Sequence, residues 1–223
     1  LTDYTLNKKT GEVKQVQVEG KLQVDEKEKK DELDRILKTK KNGEVKYKKG
    51  FAKVAIDKIE KGILKDGMNL KTENTLIEVG GKGQATEKGV ETFALKLSDH
   101  LGVEISGSYY SKDGSEMTTH VAIGKYEGQK FEESKPPGNV TYGLMGDQEA
   151  KRYSLTGFFH THPNVGPNEL NRQRPSDPDL LEMESFLKVY PDTKFYILMN
   201  SASTTDPYPY KLPYHTGYSY RLK

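Results

Sequence analysis

Residues 86–124, TEKGVETFALKLSDHLGVEISGSYYSKDGSEMTTHVAIG, place a helix directly before a pair of strands. The first part spaces its apolar residues by 3, 1, 3 and 4 positions, which follows one face of a helix: Val90, Phe93, Ala94, Leu97 and Leu101. Gly102 comes next and is a suitable C-cap. Two β-rich runs joined by the turn sequence KDGSE then follow, so this stretch predicts a helix and a β-hairpin.

Three further elements are predicted downstream of the hairpin. Residues 154–163, SLTGFFHTHP, have the pattern of a strand, and residues 193–200, TKFYILMN, have that of a buried strand. Between them, residues 177–191 form an amphipathic pattern that Ser176 or Asp177 opens as an N-cap. The order helix, hairpin, strand, helix, strand is typical of an α+β (α/β-like) fold with a mixed sheet flanked by helices.

The beginning of the chain has a different character. Two similar segments, KKTGEVK at 8–14 and KKNGEVK at 40–46, each combine a Gly-centred turn with alternating valine and charge, which predicts hairpins. We therefore expect residues 1–50 to form a hairpin-rich, charged extension and residues 51–223 to form the main domain. A short helix is predicted near residues 51–60.

Composition excludes several classes of protein and of site. The 35 basic and 33 acidic residues leave a net charge of +2, which does not favour nucleic acid or a membrane surface as a partner. No run approaches the roughly 18 consecutive apolar residues of a membrane-spanning helix. The absence of cysteine means that a metal ion would need nitrogen and oxygen ligands. The first residue is Leu1, not methionine, so we expect a fragment of a longer protein.

The segment His160-Thr161-His162-Pro163 suggests a metal site. Side chains at i and i+2 of an extended segment point to the same side, so the two imidazoles can bind one cation. A catalytic zinc ion commonly has three protein ligands and an open position for water. Asp179 is the natural third ligand at the start of the predicted helix, and Asp177 is the alternative. Ser176, about one helical turn from Asp179, is a candidate donor to a developing oxyanion.

The sequence HTHP followed by PSDPDL resembles the His-x-His-Pro and Ser-x-x-Asp motif of the JAB/MPN metalloproteases, also called JAMM peptidases. That family has an upstream glutamate in a Glu-x-x-Gly context just after its first helix, which Glu104 and Gly107 match. The resemblance covers roughly residues 83–200. It implies a zinc metallopeptidase of JAB/MPN fold, similar to that of cytidine deaminases. The implied zinc ligands are His160, His162 and Asp179, with Glu104 as the general acid/base and Ser176 as the oxyanion donor.

Within that family, the sequence resembles more closely still the JAB-like toxin domains at the C-termini of bacterial polymorphic toxins, through VGGKGQ at 79–84 and YYSKDG at 109–114. This resemblance implies a secreted or delivered effector with a protein or peptide substrate and a cognate immunity protein as partner. One departure concerns the spacing, because thirteen residues separate His162 from Ser176, several more than the family usually has. The longer loop leaves Asp177 in reserve as third ligand.

Other residues compete for these roles, and two other functions remain open. Glu91 and Glu116 are alternatives to Glu104 as the base, although neither has the Glu-x-x-Gly context. The remaining histidines have no metal-spaced partner nearby and are interpreted as structural: His100, His120 and His215. The tyrosine-rich residues 206–223 are interpreted as an extended tail over the sheet. The alternative functions are a metal-free scaffold module and a metal-dependent hydrolase of a non-peptide substrate.

Overall fold

A computed structural model describes residues 2–18, 37–39, 45–47, 56–127, 147–163, 174–200 and 209–215. The strands in those residues are β1 (Thr2–Leu6), β2 (Val13–Val18), β3 (Leu37–Thr39), β4 (Val45–Tyr47), β5 (Ile56–Ile59), β6 (Thr75–Glu78), β7 (Ser106–Lys112), β8 (His120–Ile123), β9 (Tyr153–Thr161), β10 (Lys194–Met199) and β11 (Tyr210–Tyr214). The helices are α1 (Glu87–Leu101), α2 (Asp147–Ala150) and α3 (Asp177–Leu187).

A six-stranded mixed sheet in the order β11-β10-β9-β7-β8-β6 forms the centre of the molecule. Strands β9 and β10 are parallel, and the other neighbours are antiparallel. Phe159 packs in the same core cluster as α1, whereas Phe158 packs with Met183 of α3. Because successive residues of a strand point to opposite faces, α1 and α3 cover opposite sides of the sheet. The predicted α+β fold with a helix-flanked mixed sheet is confirmed.

Helix α1 ends at the C-cap that its sequence predicts, and its N-terminus is capped as well. Its N-cap is Thr86, whose hydroxyl accepts a hydrogen bond of 3.0 Å from the Gly89 N–H. Its C-cap is Gly102, which has a left-handed φ of 67° and donates its N–H to the Ser98 carbonyl at 2.8 Å. The helix therefore stops sharply, and the chain turns into the segment that carries Glu104.

The strands on either side of the histidines also agree with the sequence pattern. The hairpin of β7 and β8, strand β9, helix α3 and strand β10 all form where they are predicted. At the end of β9, His160 lies opposite Ser106 of β7 and opposite Ile197 of β10. Helix α3 opens at Ser176 as N-cap. The first turn of α3, the end of β9 and the start of β7 thus come together.

The start of the chain forms hairpins but also contributes to the core. Strands β1 and β2 pair antiparallel, as do β3 and β4, so both predicted hairpin pairings are confirmed, although the turn at 40–44 lies outside the described residues. Leu6 and Val13 are fully buried and belong to the same core cluster as α1. The boundary at residue 50 stays a prediction.

Two predicted elements differ in the structure. Residues 56–59 form strand β5, which pairs with β1 through Tyr4 and Ile56, so the helix predicted there is wrong over this part. A neighbouring strand that buries Ile59 to 3% exposure outweighs the local helical pattern. Residues 51–55 lie outside the described part of the chain. Residues 210–214 add an edge strand, β11, to the sheet and do not lie over its face.

Within the described ranges, the longest helix has 15 residues, and no helix is long and apolar enough to cross a membrane.

Candidate metal centre

Two buried imidazoles face each other at the end of β9. The side chains of His160 and His162 leave the strand on the same side, and their Nε2 atoms are 3.1 Å apart. Both residues are buried, at 5% and 8% exposure. The His162 N–H donates to the Leu198 carbonyl at 2.8 Å, which continues the pairing with β10 beyond the last residue of β9. The alternation predicted for this pair is therefore confirmed.

Asp179 brings a carboxylate to the two histidines from the first turn of α3. Its Oδ2 lies 3.6 Å from Nε2 of His160. The possible ligand atoms of Asp179, His160 and His162 all lie within 4.8 Å of one another, and this buried group could hold a metal ion. Asp177, the alternative ligand, is exposed and lies outside this group.

A capping box sets the orientation of the Asp179 side chain. The Ser176 N–H and the Ser176 hydroxyl both donate to Asp179 Oδ2, at 2.6 and 2.7 Å, and Ser176 Oγ accepts the Asp179 N–H at 3.3 Å. The Ser176 hydroxyl thus points its proton at the carboxylate in this structure. Its predicted role as an oxyanion donor stays a prediction.

Charge and burial shift the pKa values of His160 and Asp179 in opposite directions. Burial acts to lower the pKa of His160, but the hydrogen bond and charge of Asp179 outweigh it and raise that pKa above its ordinary value. Burial acts to raise the pKa of Asp179, yet His160 and Ser176 together hold it well below its usual range. These interactions therefore favour an ionised Asp179 carboxylate next to the His160 imidazole.

Glu104 lies beside His162, in the short connection between α1 and β7. Its Oε1 is 3.7 Å from Nε2 of His162, and its side chain is 12% exposed. The Glu-x-x-Gly context has a packing explanation, because a Cβ on Gly107 would overlap the ring of Phe159. Glu104 thus has a carboxylate next to His162, one of the three possible ligands, where a proton acceptor for a bound water would be needed.

The competing glutamates lie elsewhere. Glu91 is buried on α1 and accepts hydrogen bonds of 2.7 Å from the Tyr109 hydroxyl and from Lys211 Nζ. Lys211 also donates to Glu87 at 2.8 Å. Glu116 is exposed in the loop between β7 and β8. Neither competing glutamate is brought to the histidine pair.

The other histidines are also distributed away from the group. His120 on β8 is 2.9 Å from the Thr119 hydroxyl through Nδ1 and 3.7 Å from Glu78 through Nε2. His100 lies in the last turn of α1, and His215 is exposed after β11. None of the three belongs to the candidate metal group, which agrees with their structural interpretation.

The sequence interpretation overlooked three residues near the site. Thr161, between the two histidines, is buried and hydrogen-bonded to Ser98 of α1. Ser98 follows Ala94 by four residues and precedes Leu101 by three, so the helical spacing already put it on the buried face. Tyr214 of β11 places its ring 6.1 Å from the ring of His160. Only the sheet order brings that tyrosine to the site, and no local pattern indicates it.

Two imidazole nitrogens and one carboxylate oxygen suit a borderline cation such as zinc, and they leave a coordination position for water. A metal held there, with the Glu104 carboxylate beside it, has the parts needed to activate water for hydrolysis. No protein-family model matches the chain, and no curated protein matches it. The resemblance to the JAB/MPN family accordingly rests on the sequence motifs.

Proposed function

We propose that the protein is a zinc-dependent peptidase or isopeptidase of JAB/MPN type, which hydrolyses an amide bond with a metal-activated water. The observation that carries the proposal is the buried group of His160, His162 and Asp179 with Glu104 Oε1 3.7 Å from His162. Two histidines and one carboxylate are ligands typical of catalytic zinc sites, which combine nitrogen and oxygen donors and leave one position open.

In this reaction each residue of the site would have its own role. His160, His162 and Asp179 would hold the zinc ion, which would lower the pKa of a bound water to about 7 and polarise the substrate carbonyl. Glu104 accepts one proton from the attacking water as the new C–O bond forms at the carbonyl carbon. Glu104 then returns this proton to the amide nitrogen, whose C–N bond breaks. The Ser176 hydroxyl is a candidate donor to the oxygen of the carbonyl as negative charge develops there.

Burial supports this assignment of the base. The Glu104 side chain is only 12% exposed, so few waters compete for its oxygens, and electrostatic interactions are stronger there than in bulk solvent. Helix α1 stops sharply at its C-cap Gly102, and Glu104 follows two residues later. The position of Glu104 therefore depends on where this helix ends. General bases of this kind contribute about 10²–10⁴-fold to rates.

The biological setting follows from the toxin-domain resemblance. The proposal includes a secreted or delivered effector, a protein or peptide substrate, and an immunity protein that inhibits the enzyme in the producing cell. Expression of the parent chain in a bacterial cytosol is expected to slow growth, and Glu104→Gln is expected to relieve this effect. Normal growth with a parent chain that is an active peptidase in vitro would contradict the toxin setting but leave the peptidase intact.

The first experiment measures metal content and cleavage separately. Purified parent chain is analysed for bound metals and is then incubated with a proteome-derived peptide library and with lysine-branched isopeptides, whose products are identified by mass spectrometry. We expect about one zinc per chain and a defined set of cleaved amide bonds. Glu104→Gln is expected to retain zinc and lose at least about 100-fold in kcat, whereas His162→Ala loses both.

The matched control is Glu116→Gln, which removes the same charge from an exposed loop and should behave as the parent. A parent chain that binds no zinc, or a Glu104→Gln variant that cleaves as fast as the parent, would overturn the proposal. Zinc binding without any amide cleavage would instead favour the hydrolase of a non-peptide substrate. A chain that lacks zinc yet binds proteins would favour the scaffold module.

A further inference from the structure

We propose that Thr161 and Ser98 are positioning residues, which act through a buried chain of hydroxyl groups to hold Glu104 beside the histidine pair. The inference deepens the proposed function and rests on it for the role of Glu104. It concerns the middle residue of the His-x-His segment, whose side chain points to the opposite side of the sheet from both imidazoles.

Thr161 binds the Glu104 segment twice. Its backbone N–H donates to the Ile105 carbonyl at 3.0 Å, and its side-chain Oγ1 accepts the Ile105 N–H at 2.8 Å. Both residues are fully buried. The backbone of Ile105 is thus attached through both its N–H and its C=O to the residue that separates the two possible zinc ligands.

Ser98 extends this attachment to the other side of Glu104. The Thr161 hydroxyl donates to Ser98 Oγ at 2.6 Å, and the Ser98 hydroxyl donates to the Val103 carbonyl at 2.6 Å. A hydroxyl has one proton to donate, and here each proton has a definite acceptor. The direction of the chain is therefore set, from the Ile105 N–H through Thr161 and Ser98 to the carbonyl of Val103.

The result is that both peptide groups flanking Glu104 are held by the same buried chain. The Val103 carbonyl and the Ile105 N–H border the Cα of Glu104 on its two sides, and a third contact, from the Gly102 N–H to the Ser98 carbonyl, closes the end of α1 at 2.8 Å. Pairing of β7 with β9 begins at Ser106, so the Glu104 segment precedes the regular ladder. One backbone bond, from the Thr161 N–H to the Ile105 carbonyl, continues the ladder there, and the hydroxyl groups of Thr161 and Ser98 hold the remaining groups.

This arrangement links the base to the ligands through one residue. Any displacement of Thr161 moves the strand that carries His160 and His162 together with the segment that carries Glu104, so the distance between carboxylate and imidazole is preserved. Rates of reactions that depend on a positioned base are sensitive to such distances, and a misplacement of about 1 Å can cost about 10²-fold. The hydroxyl of Thr161 therefore supports kcat without contacting the substrate.

The test uses variants that remove or retain the hydroxyl. Thr161→Val keeps the shape and removes the hydroxyl, Thr161→Ser keeps it, and Ser98→Ala interrupts the chain one step later. The matched control is Thr156→Val, since the Thr156 hydroxyl on the same strand donates to the Tyr109 carbonyl at 3.2 Å, away from Glu104. Zinc affinity is measured by competition with a chelator, and kinetics use a peptide identified in the library.

We expect Thr161→Val to lower kcat by about 10–100-fold with KM and zinc affinity within about threefold of the parent, while Thr161→Ser recovers most of the rate. In a Glu104→Gln background, Thr161→Val should cause no further loss, because residues that act through one another are not additive. An equal loss in both backgrounds, or parental kcat in Thr161→Val, would overturn the inference.

A second readout does not depend on activity. Crystal structures of the zinc-loaded parent and of Thr161→Val are compared for the separation of Glu104 Oε1 from His162 Nε2, and we expect this separation to increase by about 1 Å or more in the variant. An unchanged Glu104 position in Thr161→Val would refute the positioning role. If Glu104 is displaced in Thr161→Val but the parent cleaves no amide, the positioning role of Thr161 is supported and only the proposed peptidase activity is refuted.

Discussion

Asp179 presents one oxygen, Oδ2, both to Ser176 and to the histidine pair. The same atom receives the Ser176 N–H at 2.6 Å and the Ser176 hydroxyl at 2.7 Å, and it lies 3.6 Å from Nε2 of His160. The cap that starts α3 therefore also aims the carboxylate at the possible metal position. Helix stability and metal affinity should depend on the same two hydrogen bonds.

Substitution of Ser176 by alanine tests this coupling. The variant loses the hydroxyl that accepts the Asp179 N–H and donates to its carboxylate, so we expect about 1 kcal/mol less stability without metal and about 10–100-fold weaker zinc binding. Urea denaturation of the metal-free chain and chelator competition measure the two effects. Ser176→Thr, which retains a hydroxyl, is the control, and parental zinc affinity in Ser176→Ala would contradict the coupling.

The choice of third ligand is tested by a pair of matched variants. We expect Asp179→Asn to weaken zinc binding by more than about 100-fold, since loss of a ligand exceeds the usual cost of losing a residue that only supports one. Asp177→Asn should retain the affinity of the parent because Asp177 is exposed and outside the group. Zinc titration of both proteins separates the two possibilities, and the reverse order of affinities would make Asp177 the ligand.

Lys211 is expected to stabilise the sheet edge against α1. Its ammonium group contacts Glu87 and the buried Glu91, and it lies 4.1 Å from the ring centroid of Tyr109. Lys211→Met leaves Glu91 buried without this cation, so we expect a loss of about 2–3 kcal/mol in the free energy of unfolding. Exposed Lys188→Met is the control in the same urea experiment. If Lys211→Met loses less than about 0.5 kcal/mol in the free energy of unfolding, the ion pairs of Lys211 with Glu87 and Glu91 are energetically neutral.

The same ion pair predicts how stability depends on pH. Burial acts to raise the pKa of Glu87, but the hydrogen bond and charge of Lys211 outweigh it and lower that pKa. The folded chain then binds fewer protons at this site than the unfolded chain, so this contribution is present above about pH 4.3 and is lost as pH falls through the lowered pKa. Urea midpoints from pH 6 to 3 should decline less steeply in Glu87→Gln, and equal slopes would refute this contribution.

Position 107 is expected to require glycine, because the structure has no room for a side chain there. A Cβ at this position would overlap the Phe159 ring and approach the Ala122 carbonyl, which is backbone and cannot move away easily. Gly107→Ala should therefore cost about 1–3 kcal/mol through overpacking. Ser108→Ala is the control, because it changes the next residue of β7 and removes a buried hydroxyl that has no hydrogen-bond partner among the described residues. The idea fails if both variants unfold at the same urea concentration as the parent.

Several features of this protein can be read from local sequence because local physics produces them. The spacing of Val90, Phe93 and Leu97 indicates which face of α1 is buried, and the αL glycine at Gly102 ends the helix. The alternation of a strand places His160 and His162 on one side, and the Ser-x-x-Asp pattern at Ser176 opens α3 with a capping box. These interactions join residues close in sequence.

The other features of the fold and of the site depend on contacts between residues far apart in the sequence. Pairing of β5 with β1 outweighs the helical pattern before Ile59. The parallel pairing of β9 with β10 brings α3 to the end of β9, so that Asp179, and not the exposed Asp177, lies beside the histidines. Sequence motifs alone suggested Glu104, but its distance to His162 depends on contacts between segments more than fifty residues apart, such as the bond from Ile105 to Thr161. Propensity and periodicity carry no information about such pairs, because their partners are chosen only when the sheet assembles.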